Sequence, residues 1–283
     1  MNHSQTLVSA ECAVRERLEA VETVSRLGRV TACVGPVIRA KVPEVRIGER
    51  CQVRRRVDDG RPVLLTEVVG FDEDKGVILM PLGRTDDVSL DDPVIPMGAG
   101  ARIPFGEAVV GRVLNGLGEA IDDKGRLANP KWTSLWSSPP NPLRRQRIHE
   151  PLATGIRAID ALLTVGRGQR VGIFAPAGAG KSTILSSIAR HVDADAVVLA
   201  LIGERGREVG PFIHDNLGIE GLAKSTVIVS TSDKPALLRL KAAHTATAIA
   251  EGLRSSGSRV VLLMDSRPPD FPVLICDGFW GAV

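Results

Sequence analysis

The strongest chemistry in this chain lies in nine consecutive residues, Ala175-Pro176-Ala177-Gly178-Ala179-Gly180-Lys181-Ser182-Thr183. They follow a short apolar stretch, Arg170 to Ala175, that reads as a buried strand. They lead into Lys181 to His191, which reads as a helix. A strand, a glycine-rich loop and a helix N-terminus in that order make an anion cradle. Glycines at 178 and 180 let backbone N–H groups turn inward onto phosphate oxygens, and the helix end adds its partial positive charge. Lys181 then reaches the β- and γ-phosphates of a bound ATP, while the Ser182 hydroxyl can ligate Mg2+. Ala175 stands where the general G-x-x-x-x-G-K-[ST] spacing has its first glycine. A methyl group is tolerable there as long as φ stays negative.

Two carboxylates complete the candidate site. Ile202-Gly203-Glu204-Arg205-Gly206-Arg207-Glu208-Val209 begins where an apolar strand, Ala196 to Ile202, ends. Ligands of parallel α/β sheets collect at the carboxyl ends of strands, so Glu204 is on the side to face a γ-phosphate. A carboxylate there can orient and polarise an attacking water. Val260-Val261-Leu262-Leu263-Met264-Asp265 closes an apolar run on one acid, the arrangement that holds Mg2+ beside the serine of the phosphate loop. On its own the charged turn would read as a solvated loop, and the apolar run is common; the phosphate loop gives both their meaning.

The elements that must position these groups follow from rhythm and punctuation. After Pro151, strands at 170–175, 196–202, 226–230 and 260–264 alternate with helices at 181–191 and 235–254, which calls for a parallel sheet covered on both faces. Before it, Arg29 to Val42, Cys51 to Val57, Val63 to Phe71 and Val77 to Pro81 are short β-rich runs. They are broken by Gly35-Pro36, Asp58-Asp59-Gly60 and Asp74-Lys75-Gly76. That spacing predicts a small closed barrel or sandwich. Ala10, Val14, Leu18 and Val21 space a short amphipathic helix near the start. A Pro-rich passage from Asn129 to Pro151, with Pro139-Pro140, Pro142 and the arginines at 144, 145 and 147, reads as an extended, solvated connector.

Composition excludes several function classes. The net charge is only +3, so there is no global electrostatic case for nucleic acid or anionic membrane. The barrel runs also lack the aromatic and basic interleaving that stacks bases. Cys12, Cys33, Cys51 and Cys276 have no zinc-ligand spacing and read as reduced thiols. No apolar run reaches the roughly 18 residues needed to span a bilayer. Glu11, Glu16, Glu19 and Glu22 occupy the place where a signal peptide needs an apolar core. The expected location is the cytoplasm, with peripheral contact at the inner membrane left open.

One passage is more specific than any motif. It runs from Pro142-Leu143-Arg144-Arg145 through Glu150-Pro151-Leu152 and Thr154-Gly155-Ile156-Arg157-Ala158-Ile159-Asp160 to Leu163-Thr164-Val165-Gly166-Arg167-Gly168-Gln169-Arg170 and Phe174. Over roughly Leu27 to Ser266 the chain resembles the type III secretion ATPases, relatives of flagellar export ATPases and of the catalytic β subunit of rotary ATP synthases. Ala175 is usual among secretion ATPases. The resemblance implies an α/β fold: a P-loop RecA-like parallel sheet preceded by a small N-terminal β-barrel domain. It implies Mg2+ and ATP as cofactors and ATP hydrolysis coupled to chaperone release and the unfolding of exported proteins. The implied assembly is a homo-hexamer with stator and stalk proteins and chaperone–substrate complexes as partners, and no nucleic acid. By position, Lys181 and Ser182 take phosphates and metal, Glu204 is the catalytic carboxylate, Arg205 a phosphate- or glutamate-orienting group, and Asp265 a metal ligand.

After Ser266 the resemblance stops. The family continues with a threonine, an arginine and a helix, whereas this chain reads Arg267-Pro268-Pro269-Asp270-Phe271-Pro272, whose prolines forbid that helix. The expected organisation is therefore a helical segment at 1–26, a barrel at 27–97, an incomplete nucleotide domain at 98–266 and an aberrant tail at 267–283. A frameshift or premature stop, or a genuinely shortened paralogue, would account for the tail. For the chain as it stands the expectation is ATP binding with little turnover. The alternatives are a non-hydrolysing nucleotide-binding assembly subunit, against which Glu204 argues, and a flagellar export ATPase. A helicase of the transcription-termination type shares the barrel-plus-sheet plan but needs a stacking face that is missing here.

Overall fold

The computed structural model describes residues 27–54, 64–72, 76–138, 141, 143, 147–174, 176 and 178–266. The helix expected near the start, the tail after Ser266, and Ala175 and Ala177 of the phosphate loop lie outside the described residues. The chain divides into two compact units between Ala99 and Gly100.

In the first unit six strands close a barrel. They are β1 (Gly28–Val34), β2 (Val37–Lys41), β3 (Glu49–Val53), β4 (Leu64–Phe71), β5 (Val77–Pro81) and β6 (Pro93–Gly100), in the order β1-β2-β5-β4-β3-β6. Alternation drives the closure. Every second residue of β3 and β5, including Cys51, Val53, Val77 and Leu79, turns into a core shared with Val30, Ile38, Val68 and Val94. Gly35, at φ 57°, makes the turn that splits the expected Arg29 to Val42 run into β1 and β2. Buried Glu49 accepts the N–H groups of Arg46 (3.1 Å) and Gly98 (2.9 Å), which satisfies its carboxylate inside the barrel wall. Among the described cysteines, Cys33 and Cys51 are free thiols; burial, then the charge of Glu49, pushes Cys51 up to about 11, so it stays a protonated core residue.

The second unit holds a four-stranded parallel sheet in the order β14-β12-β13-β8. In chain order its strands are β7 (Arg102–Phe105), β8 (Val113–Asn115), β9 (Lys131–Ser134), β10 (Pro151–Leu152), β11 (Val165–Gly166), β12 (Ala196–Ile202), β13 (Ser225–Ser230) and β14 (Val260–Ser266). Of these, β7 pairs with β9 and β10 with β11, both antiparallel. The helices are α1 (Arg157–Leu162), α2 (Lys181–His191), α3 (Gly206–Pro211), α4 (Gly218–Ala223) and α5 (Ala236–Ser255), with a π-helical turn Phe212–Leu217 between α3 and α4.

All seven residues of β12 are buried, because both of its faces are covered. Val197, Leu199 and Leu201 pack with Leu185 and Ile188 of α2. Val198, Ala200 and Ile202 pack with Ala242, Ala246 and Ile249 of α5. The strand period of two thus assigns alternate residues to the two helices.

The expected strand at Arg170 to Ala175 is not formed. Val171 and Ile173 pack partly against the α2-side core, but Phe174 is 77% exposed and residues 171–174 carry no strand pairing. A strand exists only through its ladder, and none of the described strands pairs with this segment. In the other direction, β8 joins the sheet beside β13 although its three residues are too few for any pattern to announce it.

Candidate nucleotide-binding site

Strand register brings the two acids to one edge. Leu201 lies beside Asp265 and Ile202 beside Ser266 across β12 and β14, so Asp265 sits at the carboxyl end of its strand and Glu204 follows two residues after the end of β12. Gly203, at φ 76°, turns the chain out of the sheet and donates its N–H to Ser230 O at 2.7 Å. The carbonyl of Glu204 accepts the N–H of Ser232 at 3.0 Å, which pins the residue to the loop after β13.

The phosphate loop arrives at the same edge. Gly178 and Gly180 both have positive φ, 81° and 86°, and Gly180 is the left-handed residue from which α2 starts at Lys181. A Cβ at either position would meet nothing within 4 Å, so conformation and not space requires glycine there. The first-turn N–H groups of α2 have no intrahelical acceptors and point towards the loop. Behind them α2 is anchored by buried Leu185, Ile188 and Ala189. Its far end abuts the turn at Thr154-Gly155, where a Cβ on Gly155 would collide with His191. Asp160 holds that turn by accepting Thr154 N, Thr154 Oγ1 and Gly155 N at 2.7–3.0 Å. Burial pushes its carboxyl up, but these bonds win and hold it below the ordinary range.

A cavity of about 410 Å³ opens at this edge. Ser182, Glu204 and Asp265 all line it, together with Leu201, Arg207, Glu208, Val209, Pro211, Phe212 and Asn216. Lys181 Nζ stands 2.7 Å from Asp265 Oδ1, whose side chain is 2% exposed. The contact is an ion pair without directed hydrogen-bond geometry. A carboxylate so buried needs a cation beside it, and Lys181 supplies one.

The remaining candidates are placed as follows. Pro176 is exposed and its carbonyl accepts Ala179 N at 3.2 Å; Ala179 is exposed too. Thr183 is exposed, accepts Ser186 Oγ through its carbonyl, and does not line the cavity. Arg205 is exposed and directed to Glu208, with Nη1 3.4 Å from Oε1, and it too is outside the lining. The groups that sequence reasoning missed, Arg207, Glu208, Phe212 and Asn216, all come from the 206–217 segment. Their spacing of four, 208, 212 and 216, is the helical signal that could have found them.

This arrangement is a phosphate cradle with a lysine, a hydroxyl and two acids at the carboxyl edge of a parallel sheet, next to a barrel unit in sequence. It corresponds to a defined family. Residues 30–98 match the ATP synthase alpha/beta family, beta-barrel domain, and residues 155–267 the nucleotide-binding domain of the same family. The two matches together span more than half of the chain, which belongs to the ATP synthase alpha/beta family.

Within it, the chain is similar to export ATPases. It is 44% identical to the flagellum-specific ATP synthase of Bacillus subtilis over 249 residues, covering 88% of this chain and 56% of that protein. It is 43% identical to the type 3 secretion system ATPase of Xanthomonas euvesicatoria over 256 residues, covering 90% and 57%. The structure of the assembled ATPase EscN in complex with its central stalk EscO, from the enteropathogenic E. coli type III secretion system, superposes with a TM-score of 0.77 at 42% identity. That match covers 84% of this chain and 57% of EscN. The chain thus spans little more than half the length of the relatives it matches.

Proposed function

We propose that this chain binds Mg·ATP in the cavity at the carboxyl edge of its sheet and belongs to an ATPase that energises type III protein export. The observation that carries the reading is the convergence of Ser182, Glu204 and Asp265 on one cavity, with Lys181 held on Asp265. The glycine loop and the N-terminus of α2 bind the phosphates, and Lys181 leaves Asp265 for the β- and γ-phosphates as they enter. Its departure would strand a buried carboxylate, so the Ser182 hydroxyl and Asp265 fit a divalent cation that arrives with the nucleotide. Bound there, Mg2+ supplies charge neutralisation of the phosphate oxygens. Glu204 orients a water for attack on the γ-phosphorus and takes its proton.

The similarity to EscN, whose structures are of the assembled ATPase and of its complex with a central stalk, supports a ring-forming, stalk-contacting partner set for the protein. Other apparatus components and chaperone–cargo complexes enter as partners only through the export role. Among the described residues no helix is long and apolar enough to cross a membrane.

Titration of the purified 283-residue chain with ATP and Mg2+, read by calorimetry, tests the binding reading. Saturable one-site binding that weakens about a hundredfold or more in Lys181→Ala is expected, since the lysine makes charge-assisted bonds to two phosphates. Binding unchanged in Lys181→Ala would overturn it.

A further inference from the structure

The two arginines of the Glu204 turn are not equivalent. Arg205 precedes the first residue of α3 with extended backbone angles, φ −72° and ψ 136°, and its side chain lies outside, 3.4 Å from Glu208. Arg207 sits one residue into the helix, and its side chain lines the cavity. It has no ion-pair partner among the described residues. A guanidinium beside the carboxylates of Glu204 and Asp265, with Lys181 already matched to Asp265, is the cation left over for an incoming anion.

We propose that Arg207, and not Arg205, is the arginine that meets the terminal phosphate of the bound nucleotide, and that it makes the site discriminate a nucleoside triphosphate from a diphosphate. This rests on the nucleotide reading of the cavity and goes beyond it.

The argument is one of position. The phosphate loop and the start of α2 form one wall and hold the phosphates common to ADP and ATP. Arg207 belongs to the opposite wall, on α3, three residues past Glu204. Only the phosphate that projects furthest from the loop reaches that wall. It carries the charge that would otherwise meet Glu204 and Glu208 unopposed, so a guanidinium fork there is attractive only while the γ-phosphate is present.

The test uses the full 283-residue chain and compares ATP with ADP affinity, both with Mg2+, in wild type, Arg207→Ala, Arg207→Lys and Arg205→Ala. Thermal melts of the free variants check that each is folded. Arg207→Ala is expected to weaken ATP by about tenfold to a hundredfold and ADP by less than about threefold, the loss of a charge-assisted pair to one phosphate. Arg207→Lys restores part of the ATP affinity, because charge remains but the fork does not. Arg205→Ala leaves the ATP to ADP ratio as in wild type. If Arg207→Ala weakens ATP and ADP equally, or neither, or if Arg205→Ala carries the selective loss, the proposal is overturned while loss of binding in Lys181→Ala keeps the site itself. If wild type binds neither nucleotide, the site reading and this proposal fall together.

Discussion

The two edges of the parallel sheet are built on opposite principles. At the amino edge, charges are matched. Arg259 donates to Asp195 and Asp193 at 2.8–3.3 Å through its main chain and guanidinium, and Arg167 reaches Asp193 at 2.9 Å. Arg112, just before β8, grips Asp122 through two bonds of 2.7 and 2.8 Å with side chains only 13% and 7% exposed. At the carboxyl edge the glycine loop is exposed, two acids line an open cavity, and one of its cations, Arg207, has no ion-pair partner among the described residues. One edge spends its polar groups on each other and holds strand ends in place. The other keeps polar groups available for a ligand, which is where ligand chemistry in open α/β sheets belongs.

Substitutions on the two edges should therefore affect different measurements. The largest effect is expected at the carboxyl edge. Glu204→Gln in the assembled protein should cut ATP turnover by about 10²- to 10⁴-fold, the range for loss of a general base, while ATP binding by calorimetry persists. Turnover close to wild type in a folded Glu204→Gln protein would move the chemistry to another group and erase the contrast.

A smaller effect, on stability and not on nucleotide, is expected from Asp122→Asn. It leaves Arg112 half-matched at a mostly enclosed site. A loss of about 1–2 kcal/mol, between the values for exposed and buried pairs, should appear in urea unfolding with ATP affinity intact. The same carboxylate gives the pH dependence its sign. Hydrogen bonds from Arg112, outweighing burial, hold Asp122 below its ordinary value of 3.8. Its contribution is therefore fully present above that value and is lost as pH falls through the lowered one. Wild type should lose stability below about pH 4 more steeply than Asp122→Asn, which lacks this group.

The smallest effect is expected from Arg259→Ala. Its pairs are solvent-exposed, so the drop in Tm should be slight and should shrink further in added salt, with no change in nucleotide affinity. A large, salt-insensitive drop would mean that the amino edge is held by these pairs far more than their exposure implies.

The groups that were legible in the sequence are those whose role is local. Gly178, Gly180, Lys181 and Ser182 announce a phosphate loop because the turn and the helix start need those residue types in that order. Glu204 and Asp265 were legible as strand-end acids because β12 and β14 are apolar to their last residues. The barrel was legible through alternation and turn residues. The strand before the phosphate loop was misread, because apolar alternation at 171–174 signals a buried face but says nothing of a ladder partner. Arg205 was favoured over Arg207 for a comparable reason. Sequence places both next to Glu204, and only the backbone turn at the start of α3 decides which side chain faces in.

By itself the sequence determined which residue types could cradle phosphate, which acids end strands, and that a barrel precedes an α/β unit. All of these depend on backbone conformations and periodicities that a few neighbouring residues dictate. Only the tertiary structure decided that Ser182, Glu204 and Asp265 share one cavity, that Lys181 rests on Asp265, and that the 206–217 segment forms the opposite wall. Those facts depend on the parallel register of β12 with β14 and on how α2 and α3 meet the sheet edge, which pack together groups more than 80 positions apart in the chain, such as Ser182 and Asp265.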